Sequence, residues 1–169
     1  RSGERTFQLL AQVAGRAGRG TQPGRVVLQT FNPDHFCITT ARDQDYRAYY
    51  DQEVRFRKSA LYPPFCRLVQ VLVTGKDQSQ TARYARRTGD ICRQLIAELP
   101  AGPKTVHLLG PVTAPLSRIK DRYRWQLLLK GTQVDHLHHV TRTLRHRVTE
   151  KMPSRSVRLI IDMDPMNML

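Results

Sequence analysis

The sequence predicts a mixed α/β chain of the α+β class, with a cleaner order of elements after residue 65 than before it. Three observations predict it. From Cys66 onward, strand-like and helix-like hydrophobic patterns follow one another in a clear order. Glycine- and proline-bearing stretches punctuate them. Ahead of that region, Tyr62-Pro63-Pro64-Phe65 breaks the chain firmly, because proline cannot continue a helix.

Residues 7–20 read as a helix, with Phe7, Leu10, Val13 and Ala14 on one face and Thr6 as its cap. It gives way to GRAGRGTQPG, which is too glycine-rich to stay helical. Residues 25–31, RVVLQTF, read as a strand central in a sheet, because the run is apolar rather than alternating. Asn32-Pro33-Asp34 is a turn signal. Two helices are expected at 35–42 and 44–60, the second carrying Tyr46, Tyr49 and Tyr50 as a packed linker. The expected domains are 1–33, a linker at 34–65, and a terminal domain at 66–169.

In the terminal domain, residues 66–73 read as a strand and residues 78–99 as a helix with Ala82, Ala85, Ile91, Leu95 and Ile96 inward. A short strand at 106–109 is expected to end at Gly110-Pro111, followed by a loop bearing proline and arginine. Residues 124–129 form the next strand. Residues 134–149 form a helix with Leu137, Val140, Leu144 and Val148 stacked on one face, and residues 157–163 form the last strand. The order βαββαβ is that of a split-βαβ, ferredoxin-like domain: one sheet with two helices on one face.

Charge narrows the function. Lys plus Arg number 28 against 14 Asp plus Glu, a net charge of +14. A chain this basic attracts polyanions, nucleic acid foremost. No apolar run approaches the roughly 20 residues that span a bilayer. Cys37, Cys66 and Cys92 are scattered without metal-ligand spacing, and the His136, His138, His139 and His146 group lacks completing ligands, so neither zinc nor disulfides are expected. A reducing cytoplasm is the expected compartment. The chain opens on Arg1 rather than Met, and a piece of a longer protein is expected.

The most specific segment is Gln12-Val13-Ala14-Gly15-Arg16-Ala17-Gly18-Arg19-Gly20. Gln12 and Arg16 lie one helical turn apart, and Arg19 follows three residues later, so the three can converge on one ligand. Two guanidinium forks suit the spread negative charge of a transferring phosphoryl group. Gly15 and Gly18 allow close approach. The segment resembles motif VI, QxxGRxGR, of superfamily 2 helicases. Further matches follow in order: Ala60-Leu61-Tyr62-Pro63-Pro64-Phe65, Leu109-Gly110-Pro111-Val112-Thr113-Ala114-Pro115-Leu116, Arg122-Tyr123-Arg124-Trp125-Gln126-Leu127-Leu128-Leu129 and Asp162-Met163-Asp164-Pro165. Together these resemble the PriA family of bacterial replication-restart helicases along the whole chain.

The resemblance implies that residues 1–33 end a RecA-like motor lobe. Gln12, Gly15, Arg16, Gly18 and Arg19 would face ATP, with Arg16 and Arg19 catalytic and Arg19 the arginine finger. It implies an ATP-dependent 3′ to 5′ DNA helicase that recognises stalled forks and assembles the primosome at the bacterial nucleoid. The implied partners are forked and single-stranded DNA, the tail of single-stranded DNA-binding protein and other primosome proteins, with residues 134–147 the candidate region for that tail. Zinc would belong to an upstream region. The sequence has no GxxxxGK[ST] and no DExH, so ATP and Mg²⁺ would be held by other parts of the protein.

Residues 117–125 interleave basic and aromatic side chains, a mixture suited to single strands. Arg118, Lys120, Arg122 and Arg124 are the candidate DNA-binding residues. On a strand, Arg122 and Arg124 share one face while Tyr123 and Trp125 share the other, toward the core. Arg83, Arg86, Arg87 and Arg93 suit a solvated helix face as well as DNA, and Arg142, Arg145 and Arg147 suit the C-terminal helix dipole. The alternative to a helicase is a non-catalytic nucleic-acid-binding module. Such a module would not need the arginine pair after Gln12, and the aromatic pattern of an RNA-recognition motif is missing.

Overall fold

The computed structural model describes residues 2–17, 24–100 and 105–166. The chain forms two compact units, Arg1–Ala60 and Leu61–Leu169.

The first unit is helical. Helices α1 (Ser2–Ala17), α2 (Phe36–Arg42) and α3 (Tyr46–Ser59) pack around Phe7, Cys37, Ala41 and Tyr49. The Phe7 ring stacks on Tyr49 at 4.4 Å between centroids, and Phe36 stacks on the same tyrosine at 5.6 Å. Such ring pairs contribute about 0.5–1.5 kcal/mol beyond the area they bury. Of the three expected linker tyrosines, only Tyr49 is buried; Tyr46 and Tyr50 are exposed. Asp45 caps α3 by accepting from the Ala48 N–H at 2.8 Å, and His35 Nδ1 accepts from the Cys37 N–H at 3.2 Å to start α2.

Two expectations fail here. Thr6 is not a cap: α1 begins at Ser2 and Thr6 lies inside it. Glu4 in the first turn suits the positive end of the helix dipole, so the helix starts one turn earlier than its apolar face suggests. Residues 25–31 are not a strand, and Val27 and Phe31 are fully solvent-facing, at 80% and 109% exposure. An apolar run becomes a central strand only when neighbours take its N–H and C=O groups. The described strands all pair among themselves in the other unit. Within the first unit α1 and α2 pack against each other.

The second unit contains β1 (Arg67–Gly75), α4 (Gln78–Ala97), β2 (Val106–Ile119), β3 (Arg122–Gly131), α5 (Val134–Lys151) and β4 (Val157–Met163). The sheet order is β2-β3-β1-β4 with every neighbouring pair antiparallel. This is the expected split-βαβ arrangement. Val69, Val71 and Val73 of β1 and Leu127 and Leu129 of β3 meet Ala85, Cys92 and Leu95 of α4 and Leu137, Val140, Leu144 and Val148 of α5. On the opposite sheet face, Gln70 donates to Gln126 across the strands at 3.0 Å. Gly75 and Gly131 let the elements close up: a Cβ on the first would meet Thr81 Oγ1 at 2.2 Å, and on the second Leu137 Cγ at 2.6 Å.

Strand β2 corrects a further expectation. It does not stop at Gly110-Pro111 but continues to Ile119, absorbing irregular residues through register shifts between Leu109 and Val112 and between Thr113 and Arg118. β2 lies at the sheet edge, where a proline without an N–H breaks no central ladder. Gly110, at φ +91, sits in a conformation that favours glycine. Lys120 and Asp121, at φ 47 and 57, form the two-residue turn to β3.

Candidate functional site

Gln12 and Arg16 lie one turn apart on α1 and both are exposed. Gly15 lies between them, and a Cβ there would meet nothing within 4 Å. Arg19 and Gly18 lie outside the described residues. The helix is anchored at its other end. Phe7 is buried against Tyr49, and Glu4 Oε2 lies 3.1 Å from Arg57 Nη2. The anchored half and the solvent-facing half of α1 are thus separate.

The four candidate DNA-binding residues gather on the β2–β3 hairpin and divide by what they already hold. Arg122 Nη2 donates to the carbonyls of Thr74 at 3.0 Å and Ser156 at 3.1 Å, tying β3 to the end of β1 and the start of β4. Arg124 Nη1 donates to the Leu116 carbonyl at 3.2 Å, across the irregular part of β2. Arg118 pairs with Asp121 at 2.9 Å, both largely solvent-facing, and lies 5.3 Å over the Tyr123 ring. An exposed pair of this kind contributes about 0–1 kcal/mol. Lys120 stands exposed in the turn itself. Arg118 and Lys120 are therefore the more available cations, while Arg122 and Arg124 are held against backbone carbonyls. Trp125 packs against the core from the opposite strand face.

Other basic residues lie on the helices. Arg83, Arg86 and Arg87 of α4 are exposed, whereas Arg93 pairs with Asp90 at 2.8 Å. Arg147 of α5 grips Glu98 with two bonds, at 3.1 and 2.7 Å, and this bond holds the Glu98 carboxyl below the usual carboxylate range. Sequence reading missed a groove between α4, α5 and β4. Tyr84, Val148, Met152, Val157 and Leu159 line it together with Arg145 and Arg155. Tyr84 donates to the Met152 carbonyl at 3.2 Å and so orders one wall. The two arginines lie far enough apart in sequence that no local pattern signals their meeting.

Cys37, Cys66 and Cys92 are buried and free, and burial pushes the Cys92 thiol up to about 12. No metal-ligating cluster is found among the described residues, and none of their helices is long and apolar enough to cross a membrane.

Known proteins resemble this chain along its whole length. Replication restart protein PriA of Bacillus subtilis is 37% identical over 169 residues, covering 100% of this chain and 20% of that protein. The protein of the same name from Synechocystis is 39% identical over 167 residues, covering 99% of this chain and 19% of the relative. That from Haemophilus influenzae is 37% identical over 170 residues, covering 99% and 22%. The chain thus spans about a fifth of the length of these relatives. The family model of the primosomal protein N C-terminal domain matches residues 58–166, nearly the whole of the second unit. This chain belongs to the primosomal protein N C-terminal domain family.

Proposed function

We propose that the chain is the C-terminal part of an ATP-dependent 3′ to 5′ DNA helicase that recognises stalled forks and restarts replication. The observation that carries this is the reach of the similarity. Relatives named replication restart protein PriA align beyond the C-terminal domain and through the first unit, where Gln12, Gly15, Arg16, Gly18 and Arg19 stand. In this reading, Arg16 and Arg19 approach the γ-phosphate of ATP, and Gln12 links the nucleotide to the lobe interface. Arg19 stabilises charge developing on the transferred phosphoryl group. ATP and Mg²⁺ are held mainly by a phosphate-binding loop and acidic residues elsewhere in the protein, and any zinc belongs to another region. The fit is half a site: α1 presents an exposed Gln12 and Arg16, but the sequence supplies no phosphate-cradling loop.

The second unit binds forked and single-stranded DNA. Arg118 and Lys120 contact phosphates first, with Arg122 and Arg124 behind them as part of the hairpin's frame. The tail of single-stranded DNA-binding protein and other primosome proteins are further partners, and the protein works in the cytoplasm at the nucleoid.

The test is Arg19→Ala in the full-length protein. Loss of an arginine finger lowers turnover by about 10³–10⁵-fold. ATP turnover is expected to disappear while DNA affinity stays within about twofold of the parent. Unchanged turnover overturns the assignment.

A further inference from the structure

We propose that the free edge of β4, with the groove beside it, takes up an extended acidic segment of a partner protein as a further strand of the sheet.

The two edges of the sheet differ. The order β2-β3-β1-β4 leaves β2 and β4 each with one unpaired side. Strand β2 is blunted. Pro111 and Pro115 lack N–H groups, and the register shifts between Leu109 and Val112 and again between Thr113 and Arg118. Such irregularities keep other chains from pairing with an edge. Strand β4 has none of them. Its 7 residues, VRLIIDM, contain no proline or glycine, and they pair with β1 in unbroken register from Val157 opposite Gly75 to Met163 opposite Val69.

One bond shows which polar groups stand on the free side. The Asp164 N–H donates to the Leu68 carbonyl at 2.8 Å, so residue 164 faces β1. In an antiparallel ladder, alternate residues turn both backbone groups to the same neighbour. Arg158, Ile160 and Asp162 therefore face β1, while Val157, Leu159, Ile161 and Met163 turn their N–H and C=O outward. Ser154 Oγ accepts from the Val157 N–H at 3.0 Å. The outward groups of Leu159, Ile161 and Met163 have no hydrogen-bond partner among the described residues.

Beside this edge lies the groove of Tyr84, Val148, Met152 and Leu159 with Arg145 and Arg155. The Leu159 and Ile161 side chains lie on the helix side of the sheet, against the core. An added strand places every second side chain on that same side, over the groove. The apolar floor suits aliphatic side chains there, and the two arginines suit acids. Arg145 and Arg155 are both exposed, and neither has an ion-pair partner among the described residues. The acids of the neighbouring helix ends are engaged: Glu150 lies 3.2 Å from His146, and Glu98 lies 2.7 Å from Arg147. Arg158 and Asp162 stand on the opposite sheet face and do not obstruct the edge. A nucleic-acid strand could meet the arginines but would leave the backbone of β4 unpaired. A peptide strand satisfies both, with main-chain bonds giving affinity and alternate side chains giving specificity.

The probe is a labelled peptide of alternating valine and threonine with two glutamates at one end, blocked at both termini and made in both sequence directions. Binding to the whole chain is read by fluorescence anisotropy, and the edge by amide hydrogen exchange. One direction is expected to bind and to slow exchange at Leu159, Ile161 and Met163. Arg145→Glu combined with Arg155→Glu should weaken binding at least about tenfold, with the Trp125 unfolding transition unmoved to show that the fold is intact. N-methylation of one alternate set of peptide amides should weaken binding at least about tenfold, while methylation of the other set is tolerated. That asymmetry marks strand pairing and leaves the protein untouched. No binding up to about 1 mM peptide overturns the proposal. So does binding indifferent to both methylation sets, which would mean charge attraction alone, or binding indifferent to the arginine changes. If the three amides are instead slowed by a thymidine oligonucleotide and not by the peptide, the edge serves nucleic acid. If they are slowed by raising the protein concentration alone, the edge pairs with a second copy of the chain; either result also overturns the proposal.

Discussion

The two units solve the problem of burial differently. In the second, both helices lie on one sheet face, and Val69, Val71, Val73, Leu127, Leu129, Leu137, Val140 and Leu144 are shielded within a single core. In the first, the shielded cluster is Phe7, Cys37, Ala41 and Tyr49, while Val26, Val27, Leu28 and Phe31 face solvent. The lesson concerns cooperativity. A closed sandwich of sheet and helices loses its core all at once, whereas three helices around three stacked rings open locally and at lower free energy.

The sharpest way to break this comparison is to hollow the larger core. Leu144→Ala should cost about 2–5 kcal/mol, because Leu144 is fully buried between α5 and the sheet. Trp125 is the chain's single tryptophan and packs against that core, so its fluorescence during urea unfolding reports the second unit. A shift in the first unit without movement of the tryptophan transition would contradict the assignment of this core.

Phe7→Ala should act more locally. It removes the ring stacked on Tyr49 and should reduce hydrogen-exchange protection of α1 roughly tenfold, about 1.4 kcal/mol. The Trp125 transition should stay within experimental error. An equal shift of that transition would show that the two units unfold as one.

The smallest expected effect uses the thiols. Cys37 and Cys92 are both buried, and burial raises both pKa values, that of Cys92 to about 12 and that of Cys37 with added repulsion from Glu53. The reactive thiolate forms only above those raised values, so neither should label readily at neutral pH while its unit is closed. Cys37 should nevertheless label first, through local opening of the first unit, and Cys92 only with global unfolding of the second. Cys92 reacting ahead of Cys37 would reverse the order of local stabilities.

Much of the second unit was legible in the sequence. The apolar face Leu137, Val140, Leu144 and Val148 is buried as its spacing requires, and β4 spans residues 157–163 as read. The long β2 was not legible, because Gly110-Pro111 and Ala114-Pro115 look like breaks. At a sheet edge a bulged strand tolerates them, and edge position is a property of the assembled sheet. The same holds for the candidate DNA-binding hairpin. Sequence put four cations together on residues 118–124, but only tertiary structure decided that Arg122 reaches the carbonyls of Thr74 and Ser156 and that Arg124 reaches that of Leu116.

What the sequence determined by itself was whatever depends on local spacing: the helical periods, the one-turn interval from Gln12 to Arg16, the net positive charge and the βαββαβ order. Tertiary structure alone decided which faces found partners. It left residues 25–31 without strand neighbours, joined Glu4 to Arg57 across 53 positions, and brought Tyr84, Arg145 and Arg155 to one groove. The physical reason is that hydrophobic period and turn chemistry act over a few residues, whereas hydrogen-bond satisfaction and charge pairing depend on groups that the chain brings together only when it closes.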